Sequence, residues 1–165
     1  MKTIILIGMM GAGKSTIGKL LAEKLKVKFI DVDSEIVKNT AMSISDIFSK
    51  YGEKYFRDIE ANTIKSVFNN KDLVISLGGG AFENDDIREY LIGSSSIIYL
   101  KTSPEIIYER IKLDKSRPLL KDNMSVEKIN YIINEREKNY ELAKFIISTD
   151  NKEPEQIADE ILGVL

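Results

Sequence analysis

Cysteine and histidine are both missing from the 165 residues. Without cysteine the chain has no disulfide and no thiolate metal site, which fits a reducing compartment and points to the cytoplasm. Without histidine it lacks the usual general base at neutral pH, a histidine-containing triad and a zinc site of the ordinary type. Proton handling therefore falls to carboxylates or lysine. Positive charge is not in excess either: 24 Lys and Arg stand against 26 Asp and Glu, a net charge of -2. No sequence-wide basic field is available to hold nucleic acid or an anionic membrane, so any cation that matters acts locally. Long hydrophobic runs are lacking as well. The apolar opening Ile4-Ile-Leu-Ile7 is too short for a signal-peptide core, and nothing approaches a membrane span.

What is present is an ordinary globular composition, with 43% hydrophobic and 30% charged residues over a length suited to one domain with a sizeable core. Short apolar runs predict strands at Thr3 to Ile7, Lys28 to Asp31, Leu73 to Ser76, Ile97 to Leu100 and Phe145 to Ser148. Helical spacing fills the intervals: Lys14 to Leu25, Ser34 to Thr40, Ile44 to Phe68, Ile87 to Ile92, Pro104 to Ile111, Val126 to Ala143 and Pro154 to Leu165. Strands alternating with helices predict a three-layer α/β/α fold, a parallel sheet of five strands covered on both faces. Ser103-Pro104 and Glu153-Pro154 place proline at the first helical position, and Ser125 is set to cap the helix it precedes. Gly52 is expected to break the long segment into two helices. No repeat or linker divides the chain, which reads as a single domain, 1–165. Two segments have no strand of their own: 33–60, a helical excursion, and 113–123, polar and without apolar periodicity.

Gly8-Met-Met-Gly-Ala-Gly-Lys-Ser15 fits the P-loop pattern G-x-x-x-x-G-K-[ST] at every fixed position, after an apolar strand and before a helix. Glycines let backbone N–H groups converge on phosphate oxygens, and the helix N-terminus adds its dipole. Lys14 would neutralise the β- and γ-phosphates and Ser15 would offer a hydroxyl to Mg2+. The loop leaves the phosphate acceptor open. A GTPase needs N-K-x-D, and in Asn70-Lys-Asp72 the aspartate falls one place early. A larger ATPase usually ends a strand in Asp or Asp-Glu, whereas the third strand here runs into Ser76-Leu-Gly-Gly-Gly80. A small-molecule kinase fits better.

On the acceptor side, Phe29-Ile-Asp-Val-Asp33 is read as the end of the second strand. Asp31 and Asp33 would then face the same side, where two like charges need something between or beside them. Gly78, Gly79 and Gly80 follow a parallel strand where ligands bind in open sheets, and leave no side chains in the way. Arg57 and Glu60 are three apart and share a helix face, as do Arg136 and Tyr140 four apart; either pair alone could equally be surface decoration. Arg117-Pro-Leu-Leu120 sits in the polar segment, where an arginine before a rigid proline suits a loop that closes over phosphates.

Taken together, these residues resemble shikimate kinases along nearly the whole chain. The likeness rests on Gly8-Met-Met-Gly-Ala-Gly-Lys-Ser-Thr16, Phe29-Ile-Asp-Val-Asp33, Ile47-Phe48 with Tyr51-Gly-Glu53, and Phe56-Arg57 with Glu60. It continues through Leu77-Gly-Gly-Gly-Ala81, Arg110, Arg117-Pro-Leu-Leu120, Arg136 with Tyr140, and Ala143. The resemblance implies transfer of the ATP γ-phosphate to the 3-hydroxyl of shikimate, on a fold like that of nucleoside monophosphate kinases. It makes 33–60 part of a substrate-binding insert and 113–123 a lid. It implies nucleotide contacts from Gly11, Ala12, Gly13, Lys14, Ser15, Thr16, Arg110 and Arg117, the last two from helix and lid. It gives the substrate to Asp33, Arg57, Gly78, Gly79, Gly80 and Arg136, the metal Mg2+ to Ser15 and Asp31, and catalysis to Lys14, Asp33 and Arg117. Phe48 and Phe56 would wall the pocket, or pack in the core. Expected partners are shikimate and ATP alone, without nucleic acid or membrane, and an even surface composition points to a monomer. Departures from the family pattern are Lys19 in place of a common arginine, Lys101-Thr102 in place of a more acidic pair, and the acidic turn Ala81-Phe-Glu-Asn-Asp85. Gluconate or a nucleoside monophosphate as acceptor, or a non-catalytic module descended from such a kinase, stay open at this point.

Overall fold

The computed structural model describes residues 3–68, 72–93, 95–112 and 124–165. In chain order the elements are β1 (Ile4–Ile7), α1 (Lys14–Leu25), β2 (Lys28–Asp31), α2 (Val32–Thr40), α3 (Ile44–Phe68) and β3 (Leu73–Ser76). A 3-10 turn (Ala81–Glu83) then leads to α4 (Asp85–Leu91), β4 (Ser96–Lys101), α5 (Pro104–Ile111), α6 (Val126–Tyr140), β5 (Phe145–Ser148) and α7 (Pro154–Val164). Among the described residues the five strands form one parallel sheet in the order β2-β3-β1-β4-β5. β1 lies in the middle, with Ile5 opposite both Ile75 of β3 and Ile97 of β4.

All four residues of β1 are buried, and their alternation divides them between two cores. Ile5 and Ile7 join Ile36 of α2, Ile47, Phe56 and Ile64 of α3, and Ile87 and Leu91 of α4. Ile4 and Leu6 join Ile17 and Leu21 of α1 with Ile157, Ala158 and Ile161 of α7. This gives the helix–sheet–helix layering that an all-apolar strand requires. A third cluster holds Met9 and Met10 against Ile107 and Ile111 of α5 and Ile129 and Ile133 of α6, so the glycine loop leaving β1 is anchored by packing.

Helix ends follow the local chemistry. Ser125 caps α6 by accepting from the Lys128 N–H at 3.1 Å, and Pro104 and Pro154 open α5 and α7. Within α3, Gly52 has φ 85° and ψ 172°, which interrupts the helix where expected. One boundary differs with consequences for the site. β2 ends at Asp31 as its expected range had it, but α2 begins at Val32 rather than Ser34, because the Asp31 side chain accepts from the Ser34 N–H at 3.0 Å and caps the helix. Cap formation turns the chain at once into a helix, so Asp33 lies in the first turn of α2 and the two carboxylates are not strand neighbours.

Gly18 in α1 faces the ring of Phe29 so closely that a Cβ there would overlap it. Alanine is the better helix former by about 1 kcal/mol, yet here the packing outweighs propensity. Gly18→Ala is expected to lower stability by about 1–3 kcal/mol, the range for an overfilled core. Denaturant unfolding checks this, and an increase in stability would show that α1 can move away from β2 without cost.

Candidate active site

The carboxyl ends of β1 and β3 lie side by side, and the N–H of Leu77 donates to the carbonyl of Leu6 at 3.1 Å just past the ladder. Two loops therefore leave the sheet together: the glycine loop to α1 and the run Gly78-Gly79-Gly80. Open parallel sheets bind ligands at this edge.

In the first loop, Gly13 has φ 93°, a left-handed conformation open to glycine at little cost, and caps α1. Lys14 is buried, and its Nζ donates to the carbonyls of Gly8 and Met9, both at 2.9 Å. The ammonium is thus held inside the curve of the loop. Ser15 Oγ donates to Asp31 Oδ2, which brings a hydroxyl and a carboxylate together. Arg110, on α5, donates from Nη1 to the carbonyl of Gly11 at 2.9 Å and overhangs the loop mouth. Gly11, Gly13, Lys14, Ser15, Thr16, Asp31 and Arg110 all line one cavity of about 550 Å³. Ala12 does not line it; its side chain belongs to the core and its N–H donates to the Met9 carbonyl at 3.1 Å.

A second, smaller cavity of about 60 Å³ is lined by Met10, Asp33, Ile44, Phe48, Phe56, Arg57, Glu60 and the three glycines. Phe48 and Phe56 do both jobs foreseen for them: their rings pack at 4.7 Å, and they face the cavity. Arg57 Nη1 donates to Glu60 Oε2 at 2.8 Å and Nη2 to Glu53 Oε1 at 3.4 Å. The glycines are needed for room. A Cβ on Gly80 would stand 2.5 Å from Arg57 Nη2, and one on Gly78 would stand 2.6 Å from Glu60 Oε1 and 3.0 Å from Asp33 Oδ1. Arg136, on α6, lines neither cavity; it stands behind the glycine run, with Nη1 3.4 Å from the place of a Gly79 Cβ and 3.9 Å from Met9 Sδ. Asp33, Ile44, Gly78 and Gly79 line both cavities, so the two spaces meet there.

Charges are balanced within the smaller site. Burial disfavours the Arg57 cation, but the carboxylates of Glu60 and Glu53 outweigh it and hold its pKa above the ordinary value. Glu60 is 2% exposed, and its Oε1 has no hydrogen-bond partner among the described residues. Burial raises its pKa, opposed by Arg57, while Asp33 adds a smaller push in the same upward direction.

The structure thus brings together Lys14, Ser15, Asp31, Asp33, Arg57, the three glycines, Arg110 and Arg136. Arg117, and with it the segment 113–123 read as a lid, lies outside the described residues. Sequence reasoning missed Met10 and Ile44. Each is a lone apolar residue with no spacing to set it apart from core, and only the approach of the loop to α3 makes either a wall.

A parallel sheet in this order, with a buried lysine in a glycine loop at the first helix and a second pocket across the sheet edge, defines a P-loop kinase of the α/β class. The family described as shikimate kinase matches residues 10–165. Among curated proteins, the shikimate kinase of Persephonella marina is 45% identical over 163 residues, covering 99% of this chain and 98% of that one. The shikimate kinase of Sulfurihydrogenibium sp. is 43% identical, covering 98% and 96%. Among solved structures, shikimate kinase from Acinetobacter baumannii in complex with shikimate superposes with a TM-score of 0.96 at 36% identity, covering 99% of this chain and 92% of that one. The enzyme from Aquifex aeolicus gives 0.85 at 38% identity, covering 97% and 94%. The chain belongs to the shikimate kinase family.

Glu60 generates a prediction of definite sign. A carboxyl whose pKa is raised by folding binds its proton more tightly in the folded state. That state therefore loses stability as pH climbs from the ordinary carboxylate range through the raised value. Glu60→Gln removes this titration. From about pH 4 upward the Tm of the wild type should drop relative to the variant; a difference independent of pH would show that another group titrates.

Proposed function

We propose that the two joined cavities are the donor and acceptor sites of ATP-dependent phosphorylation of the 3-hydroxyl of shikimate, giving shikimate 3-phosphate. The observation that carries this is their junction at Asp33, Gly78 and Gly79: a phosphate donor in the larger space and an alcohol in the smaller one can meet only there. Family membership makes the chain an ATP-using kinase of aromatic biosynthesis; the residue assignments are the part proposed.

Phosphoryl transfer asks for positioning and charge neutralisation more than covalent help, which suits a site without cysteine or histidine. Backbone N–H groups of the glycine loop and the N-terminus of α1 receive the phosphates, with Lys14 at the β- and γ-oxygens. Ser15 and Asp31 would hold Mg2+: the two touch each other, and a hydroxyl beside a carboxylate is a hard-oxygen pair of the kind this ion takes. Bound there, Mg2+ supplies charge neutralisation on the phosphate oxygens. No group of three or more His, Cys, Asp or Glu that could hold a metal exists among the described residues, which leaves Ser15 and Asp31 as the residues that would hold the ion. Arg57 lines the small cavity and Arg136 stands beside Gly79 at its edge, and together they would offer guanidinium donors to a carboxylate. Asp33 accepts a hydrogen bond from the attacking hydroxyl and takes its proton as the P–O bond forms. Arg117 stabilises the phosphoryl group in transfer, and Arg110 packs on the adenine. We further propose that the chain is one domain acting as a cytoplasmic monomer, with 33–60 as the substrate-binding insert and 113–123 as the lid. No helix among the described residues is long and apolar enough to cross a membrane.

ADP release with Mg-ATP and shikimate, run beside gluconate, quinate and nucleoside monophosphates, tests the reading. Turnover with shikimate alone is expected, and ATP binding without shikimate-dependent ADP release would overturn it. Asp33→Asn should lower kcat by about 10²-fold or more while leaving ATP affinity within a few-fold, as loss of a general base does. Near-normal turnover would remove Asp33 from the chemistry. Asp31→Asn should raise the Mg2+ concentration for half-maximal rate by about tenfold, the scale of a disturbed metal environment; an unchanged requirement would leave Ser15 as the protein's sole contribution to the ion.

A further inference from the structure

Tyr140 ends α6 with a fully buried side chain. Its hydroxyl donates to the carbonyl oxygen of Gly79, the middle residue of the glycine run. Arg136, one helical turn earlier on the same face, acts electrostatically on the phenol oxygen, and its Nη1 stands 3.4 Å from the place of a Gly79 Cβ. A phenol has one proton and two lone pairs, and a guanidinium can only donate. The phenol proton therefore goes to Gly79, which leaves the oxygen's lone pairs available to the Arg136 cation. Burial pushes the phenol pKa up to about 12, outweighing the opposite pull of Arg136, so the group stays a donor at working pH. The ring is fixed from the other side by Tyr99 of β4, with centroids 4.9 Å apart and planes tilted by 32°. Tyr99 sits opposite Ile7, the last residue before the phosphate loop.

We propose that Tyr140 is a positioning residue of the acceptor pocket, whose hydroxyl fixes the Gly79 carbonyl and aims the Arg136 guanidinium at the carboxylate of the acid substrate. The inference rests on the assignment of Arg136 to that carboxylate. One phenol then holds together two parts of the pocket from different elements, the turn after β3 and the helix α6. Asn139 ties the same elements by a different route, its Nδ2 donating to Glu83 Oε1 at 3.1 Å, and among the described residues its side chain bonds to neither Arg136 nor Gly79. It provides a control that loosens the joint without touching the proposed device.

Tyr140→Phe keeps the ring and its stack on Tyr99 and deletes only the hydroxyl. The expected result is a KM for shikimate raised about tenfold, the scale of one hydrogen bond to a charged group, with kcat and the KM for ATP within about twofold. Calorimetric binding of shikimate without nucleotide should weaken by the same factor, and Asn139→Ala should lower Tm with the shikimate KM unchanged. Arg136→Lys is measured alongside, with the double variant. A raised KM in Arg136→Lys and little further loss on adding Tyr140→Phe supports the proposal. If Arg136→Lys raises KM and Tyr140→Phe does not, the role of Tyr140 is overturned and the pocket assignment stands. If Arg136→Lys leaves KM unchanged, the pocket assignment itself fails. Equal losses for shikimate and ATP, or a KM effect of Asn139→Ala matching that of Tyr140→Phe, would reduce Tyr140 to a packing residue.

Discussion

Everything in the site depends on the parallel pairing of β1 with β3. Their ladder runs from Ile4 opposite Val74 to Leu6 opposite Ser76, and the Leu77 N–H extends it by one more bond to the Leu6 carbonyl. Parallel strands end at the same edge, so the loop that receives phosphates and the loop that borders the acceptor leave the sheet as neighbours. The three clusters of buried side chains serve this one relation. Two hold helices against the sheet faces, and the third pins Met9 and Met10 of the phosphate loop to α5 and α6.

Around that edge, charge is handled without any group that titrates near neutrality in free solution. Arg57 is flanked by Glu53 and Glu60 on its own helix, while Glu60 in turn is buried near Asp33. The pocket therefore contains cations fixed by carboxylates rather than loose charges waiting for a ligand. An arginine so placed loses little freedom on binding an anion, which lowers the cost of recognition. The phosphate side is built in the same manner, with the Lys14 ammonium seated on the carbonyls of Gly8 and Met9.

Much of this was legible in the residues, for reasons that differ from place to place. β1 is a uniformly apolar run that meets Gly8, and β3 is an apolar run, Leu73 to Ile75, that ends in Ser76 two residues before Gly78, so their strands and their burial could be read directly. Proline at the first turns of α5 and α7, Ser125 before α6 and Gly52 within α3 marked boundaries by backbone chemistry alone. The pair Arg57 and Glu60 was visible as helical spacing. What could not be read was the turn at Asp31. A carboxylate ending a strand and a carboxylate capping a helix have the same letter, and only the hydrogen bond to the Ser34 N–H decides between them. The difference mattered, because the two aspartates reach the same large cavity from different elements, Asp31 from the strand end and Asp33 from the first turn of α2. Asp31 meets Ser15, and Asp33 stands at the boundary of the small cavity beside Gly78. Their separate tasks come from a change of secondary structure between them, with the buried Val32 as its pivot. The walls Met10 and Ile44 were illegible for a different reason: their role depends on contacts between elements distant in sequence.

The tight seating of Gly18 on Phe29 reaches further than the packing of one helix. Gly18 and Ser15 are three apart on α1 and share a face, while Phe29 and Asp31 are two apart on β2 and share a side. One member of each pair makes the apolar contact and the other makes the contact between hydroxyl and carboxylate. The absent side chain at Gly18 is therefore a gauge block for the oxygen pair one turn away: the thickness of a glycine against an aromatic ring sets how far apart two polar atoms can stand.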